Sequence, residues 1–223
     1  MTLSILYLLF TSWFISCKPA VKTIPQPAIT VAEGRIIVES IDYDTSAWIE
    51  LTSDDQYVID IKYATADNFV KEAVYPCGRC FLRREAAIAL NAVRDDLKQE
   101  GYKLKLFDCY RPRPVQQKLW DKVPNPNYVA RPSEGSMHNR GAALDLTLTD
   151  KFGKELDLGT PYDFFGPQAH HDYTQLSKTV LGLRTRLKNV MESHGFNSIR
   201  TEWWHYSLTT GSYALEDWQW SCP

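Results

Sequence analysis

The sequence predicts an α+β fold: a single compact domain with a mixed or antiparallel central sheet and flanking helices. Three observations lead there. Strand-like alternation and helix-like periodicity both occur, in separate stretches of the chain. They do not recur as regular strand–helix units, which argues against a doubly wound parallel sheet. The 223 residues, 44% hydrophobic and 23% charged, suit one folded domain with a sizeable core rather than a disordered chain.

The chain opens with an almost uncharged apolar run at residues 3–15, too short to span a bilayer comfortably and of the length of a signal-peptide core. It ends in Phe14-Ile15-Ser16-Cys17, which resembles a bacterial lipobox: an apolar residue, a small residue, then the cysteine that is lipidated. The resemblance implies a leader over residues 1–17 and a lipid on Cys17. Lys18 stands where an inner-membrane retention aspartate would stand, so the implied form is an exported, periplasm-facing outer-membrane lipoprotein. No Lys or Arg precedes the run, which leaves an uncleaved anchor or a simple secretion signal as alternatives. Residues 18–40, with Pro19, Pro25 and Pro27, read as an extended tether, and residues 41–223 as the folded domain.

Within the domain, Tyr57, Ile59, Ile61 and Tyr63 alternate with Val58, Asp60 and Lys62, a strand pattern. Leu82, Ala86, Leu90, Val93 and Leu97 recur at helical spacing, and Gly101 closes that helix. Tyr102, Leu104 and Leu106 mark a strand that delivers Asp108 and Arg111 at its end. Pro112 biases Arg111 towards an extended conformation, and a short helix carrying Val115 and Leu119 follows. Residues 142–148 read as a strand with Asp145 opposite Leu144 and Leu146. Leu176, Val180, Leu183, Leu187 and Val190 form a second long helix stopped by Gly195, and a last strand carries Glu202 to Tyr206.

The chemistry concentrates in two places, Ser136 to Asp145 and Glu202 to His205. Two histidines and an aspartate, His138, His205 and Asp145, make a ligand set suited to zinc. Three protein ligands leave a coordination position open, as in catalytic sites. Glu202, three residues before His205, is the kind of carboxylate that handles the proton of an attacking water. Residues three apart on a regular strand face opposite ways, so Glu202 and His205 can serve one centre only across a bulge or a strand end. A net charge of −2 without a dense basic stripe gives no electrostatic footprint for nucleic acid.

Together, Ser136-x-His138-x-x-Gly141-x-Ala143-x-Asp145 and Glu202-x-Trp204-His205 resemble the metal-binding signature of the M15 zinc peptidases. The segments Tyr63 to Phe69, Asp108 to Pro112, His138 to Leu148, Tyr162 to Phe165 and Glu202 to Tyr206 resemble, in order, those of the VanX-type D-Ala-D-Ala dipeptidases. The resemblance spans about residues 45–207. It implies one zinc per chain on His138, Asp145 and His205, with Glu202 as general base. It implies Arg111 as the group polarising the scissile carbonyl, and Tyr63, Ser136 and Asp163 around a small dipeptide, Asp163 meeting its ammonium. Two other readings stand beside it: an M15 carboxypeptidase or endopeptidase acting on peptidoglycan stem peptides, and a non-catalytic lipoprotein that binds a cell-wall ligand.

Several other residues have simpler readings. Asp67 and Asn68 shape a turn; Asp108 orients Arg111 or caps a strand; His194 compensates a helix dipole. His170 and His171 read as exposed in a polar loop, and Trp203 and Trp204 as packing that walls the site. Apart from Cys17, four cysteines remain, Cys77, Cys80, Cys109 and Cys222, with three possible full pairings in an exported chain. Similarity to exported relatives implies Cys80–Cys109, which leaves Cys77 and Cys222 for each other.

Overall fold

A computed structural model describes residues 42–54 and 56–222, and the backbone of two short strands at 29–32 and 35–38. Cys17 and the leader lie outside the described residues. The chain divides into two units, Met1–Ser40 and Ile41–Pro223. In the first, β1 (Ile29–Ala32) pairs antiparallel with β2 (Arg35–Val38), so the expected tether contains a hairpin.

In the second unit, β3 (Trp48–Leu51) precedes β4 (Tyr57–Ile59). The predicted strand over 57–63 stops at Ile59, and Lys62–Ala64 closes into a 3-10 turn that buries Tyr63. Strand β5 (Cys80–Arg83) pairs antiparallel with β3 and leads into α1 (Arg84–Gln99). Leu82 therefore belongs to a strand, although Ala86, Leu90, Val93 and Leu97 form the buried stripe of the helix as their spacing requires. Strand β6 (Tyr102–Asp108), α2 (Arg113–Lys122), β7 (Ala143–Asp150), α3 (Lys178–Ser193), β8 (Phe196–Ile199) and β9 (Glu202–Leu208) complete the order.

Five strands form the central sheet in the order β4-β6-β7-β9-β8, with β4–β6 parallel and every other pair antiparallel. The sheet is mixed, and α1 and α3 pack on it and on each other, an α+β architecture as expected. Leu144, Leu146 and Leu148 on the middle strand are fully buried and alternate with Asp145, Thr147 and Thr149. Leu90, Leu97, Leu104, Leu106 and Leu187, also fully buried, belong to the same core. No helix among the described residues is long and apolar enough to cross a membrane.

Two irregularities in this sheet matter for the site. The β6–β7 register shifts between Leu106 and Asp108, which sets Asp108 opposite Asp145. The β8–β9 register shifts between Ser198, paired with Tyr206, and Ile199, paired with Glu202. The departure from regular strand geometry that Glu202 and His205 demanded is that second shift.

Candidate metal centre and substrate cavity

Tyr63, Arg111, Ser136, His138, Asp145, Asp163, Glu202 and His205 all line one cavity of about 350 Å³. They arrive from separate elements. Asp145 lies on β7 directly opposite His205 on β9. His138 sits in a 3-10 turn, His138–Arg140, that ends at Gly141 in the left-handed conformation (φ 71°). A Cβ on Gly141 would also lie 2.1 Å from the Trp48 ring, so only glycine allows this bend to pack.

The donors of His138, Asp145 and His205 fit a divalent metal ion. His138 Nε2 lies 3.1 Å from His205 Nδ1 and 3.3 Å from an Asp145 oxygen, and His205 Nδ1 lies 3.0 Å from that same oxygen. One donor atom from each residue falls within 4.8 Å of the others. His138 Nδ1–H donates to the Cys109 carbonyl at 2.7 Å, which fixes the tautomer and leaves Nε2 free to ligate. The other Asp145 oxygen accepts from the Tyr162 hydroxyl at 2.8 Å. Burial opposes the charge on Asp145, but the two histidines hold its carboxyl well below the usual range. Burial pushes His205 down, against Asp145. A carboxylate at Asp145 and a neutral imidazole at His205 are the forms in which those residues ligate a divalent metal.

Arg111 is buried, and its guanidinium is fully directed. Nε and Nη2 donate to Asp108 Oδ2 at 3.0 and 2.7 Å, and Nη1 donates to Gln116 at 3.0 Å. The sequence left Asp108 two roles; the orienting one is observed. Burial disfavours the charge on Arg111, but Asp108 together with Tyr63, Tyr75 and Tyr162 outweighs it and raises its pKa. Asn139, fully buried, donates to the Arg111 carbonyl at 2.7 Å and accepts from the Ser136 N–H at 2.7 Å. The Cys80–Cys109 and Cys77–Cys222 disulfides both form as expected, the first joining β5 to the segment that carries Asp108 and Arg111.

On the other side, Glu202 is buried and accepts no hydrogen bond among the described residues. Burial, with Asp145 and Asp163 nearby, pushes its carboxyl well above the usual range. Asp163 is half-buried, in the left-handed region (φ 59°), a conformation that aspartate tolerates better than most residues. It accepts from the Tyr63 hydroxyl and the Phe69 N–H, each at 3.3 Å. Burial, then Asp145, pushes it up to about 8.

Arg184 on α3, which sequence reasoning passed over, secures the loop that presents Tyr162 and Asp163. It donates to the carbonyls of Leu158, Gln168 and His170 at 2.6, 3.0 and 3.2 Å. His170 and His171 are not exposed as expected: each has a buried Nε2, and burial lowers His171 to about 4. Both are half-buried: Arg200 donates to His170 Nδ1, and the His171 ring meets Tyr206 edge-on. His194 does cap α3 and pairs with Asp96 at 2.8 Å. Asn68 is buried and shapes its turn through the Val70 and Lys71 N–H groups. Trp203 and Trp204 are buried, and Trp204 lines the cavity.

A family model described as D-Ala-D-Ala dipeptidase, of the M15 peptidases, matches residues 50–220. The D-alanyl-D-alanine dipeptidase of Escherichia coli (strain K12) is 38% identical over 165 residues, covering 74% of this chain and 86% of that protein. That of Enterococcus faecalis (strain V583) is 33% identical over 178 residues, covering 69% and 87%. That of Streptomyces coelicolor is 34% identical over 173 residues, covering 67% and 84%.

Proposed function

This chain belongs to the D-Ala-D-Ala dipeptidase family of M15 peptidases, and on that premise we propose that it hydrolyses free D-Ala-D-Ala to two D-alanines with one zinc ion per chain. The observation that carries the reading is the convergence of three metal donors, the Glu202 carboxyl and a braced guanidinium on one small cavity. His138, Asp145 and His205 hold the zinc, which when bound supplies Lewis acidity that acidifies water and polarises a carbonyl.

Glu202 takes the proton of the attacking water on its carboxylate and passes it to the nitrogen of the leaving D-alanine. Its desolvated position raises its proton affinity, which suits that return step. Arg111 presents a fixed cation where negative charge builds on the carbonyl oxygen. Asp163 ionises against the substrate ammonium, while Tyr63 and Ser136 close the pocket around the two methyl side chains.

The location belongs to the same proposal and rests on the leader ending at Cys17. A pair of disulfides suits an oxidising compartment outside the cytoplasm. An enzyme tethered there meets dipeptides from the wall or the surroundings, so its role is recycling or nutrition. The test is a hydrolysis assay on chelator-stripped protein. D-Ala-D-Ala cleavage should vanish on stripping, return with one equivalent of zinc, and exceed cleavage of L-Ala-L-Ala and of a blocked stem peptide. Preference for the blocked stem peptide would contradict the reading.

A further inference from the structure

We propose that Tyr128, Phe165 and Phe69 form an aromatic roof that sets substrate length, admitting a free amine and shutting out an acylated one. The inference rests on the dipeptidase reading above. The three rings come from three separate loops and all line the cavity. Tyr128 stacks on Phe165 (centroids 4.7 Å apart, planes 25° apart), and Phe165 meets Phe69 edge-on at 5.0 Å.

The roof is built around Asp163. Phe165 follows it by two residues, and the Phe69 N–H donates to its carboxyl. The third ring is tied to the reaction centre through Gln116, fully buried, whose two amide atoms are both used. Its oxygen accepts from Arg111, and its nitrogen donates at 2.8 Å to the Ala130 carbonyl, two residues beyond Tyr128. The loop between α2 and the His138 turn is thus held near its middle at two neighbouring points, at Ala130 by Gln116, which Arg111 engages, and at Tyr128 by stacking on Phe165.

A free dipeptide ends at its ammonium, so nothing has to pass beyond Asp163. An N-acylated or longer peptide has to continue through the space where the rings meet, and it would leave the Asp163 carboxyl without a cation. Both penalties act on the same substrates, so one structural feature accounts for the exclusion. Aromatic rings serve this purpose because they are large and have few rotamers to lose on being fixed.

The test compares the zinc-loaded wild type with Tyr128→Ala, Phe165→Ala and the double variant on D-Ala-D-Ala, N-acetyl-D-Ala-D-Ala and an L-Lys-D-Ala-D-Ala tripeptide. The expected result is that the ratio of tripeptide to dipeptide kcat/KM rises at least tenfold in each single variant and further in the double. Tyr128→Phe, which keeps the ring, should keep the wild-type ratio. If the alanine variants do not fold, Tyr128→Leu decides, with a rise of a few fold expected. An unchanged ratio in folded, zinc-loaded variants overturns the roof while leaving the dipeptidase reading intact. A wild type that already prefers the blocked peptides overturns the dipeptidase reading itself.

Discussion

Arg111 and Glu202 face the same cavity and are held in opposite ways. The Arg111 side is braced throughout. Asp108, fully buried, receives Arg111 on one oxygen, and the Tyr75 hydroxyl and Cys109 N–H on the other at 2.8 and 2.9 Å. Cys109 is itself bonded to Cys80 and supplies the carbonyl that orients His138. Glu202, by contrast, lies at a register shift, and its carboxyl accepts no hydrogen bond among the described residues. The difference matches the two tasks. A group that stabilises developing charge works best when fixed in advance. A group that takes up and releases a proton must exist in both forms, and a strong partner for either form would hold it there.

Removing the brace should have the largest effect. Asp108→Ala strands the buried Arg111 charge and should cost about 3–5 kcal/mol, measured by denaturant unfolding, with hydrolysis lost. Arg111→Lys keeps the charge but loses the fork that Asp108 and Gln116 grip. Its kcat should fall about 10²–10³-fold while stability changes less, so steady-state kinetics and melting together separate positioning from folding. Replacing both Cys80 and Cys109 by serine should cost about 2–4 kcal/mol. Because Cys109 orients His138, zinc affinity should also weaken roughly tenfold, as read by chelator competition.

The smallest effect concerns Asp163, a second carboxyl on the desolvated side. In metal-free protein its pKa of about 8 stands above the ordinary 3.8. The folded state therefore binds a proton that the unfolded state releases, and stability is lost as pH rises from about 4 to about 8. Asp163→Asn removes that loss. The variant should be more stable than wild type at pH 8, by about 1–3 kcal/mol, and the two should converge below pH 4, as measured by unfolding across pH. A wild-type stability that rises over this range would show that Asp163 is not desolvated.

How far the sequence reveals each side follows from the same contrast. His138, Asp145, Glu202 and His205 declare themselves through residue type and local spacing, and the spacing of the last two also requires the strand irregularity that is found. The stripes of α1 and α3 are legible because a sixteen-residue helix repeats its pattern several times. Strands β3, β5 and β8 have four residues each, too few to establish alternation, and Cys80, Phe81 and Leu82 are consecutive and all fully buried. Gln116, Asn139 and Arg184 hold the site through bonds to residues 5 to 28 positions away. Such contacts leave no periodic trace, so the braces stay hidden while the ligands stand out.

The central claim is that Glu202 carries the proton while His138, Asp145 and His205 alone hold the metal. It is tested most directly by Glu202→Gln, assayed for zinc content and D-Ala-D-Ala hydrolysis on the same preparation. The account predicts one zinc per chain, as in wild type, with kcat reduced at least about a hundredfold. A zinc-loaded variant within tenfold of wild-type activity, or one that no longer binds zinc, would contradict it.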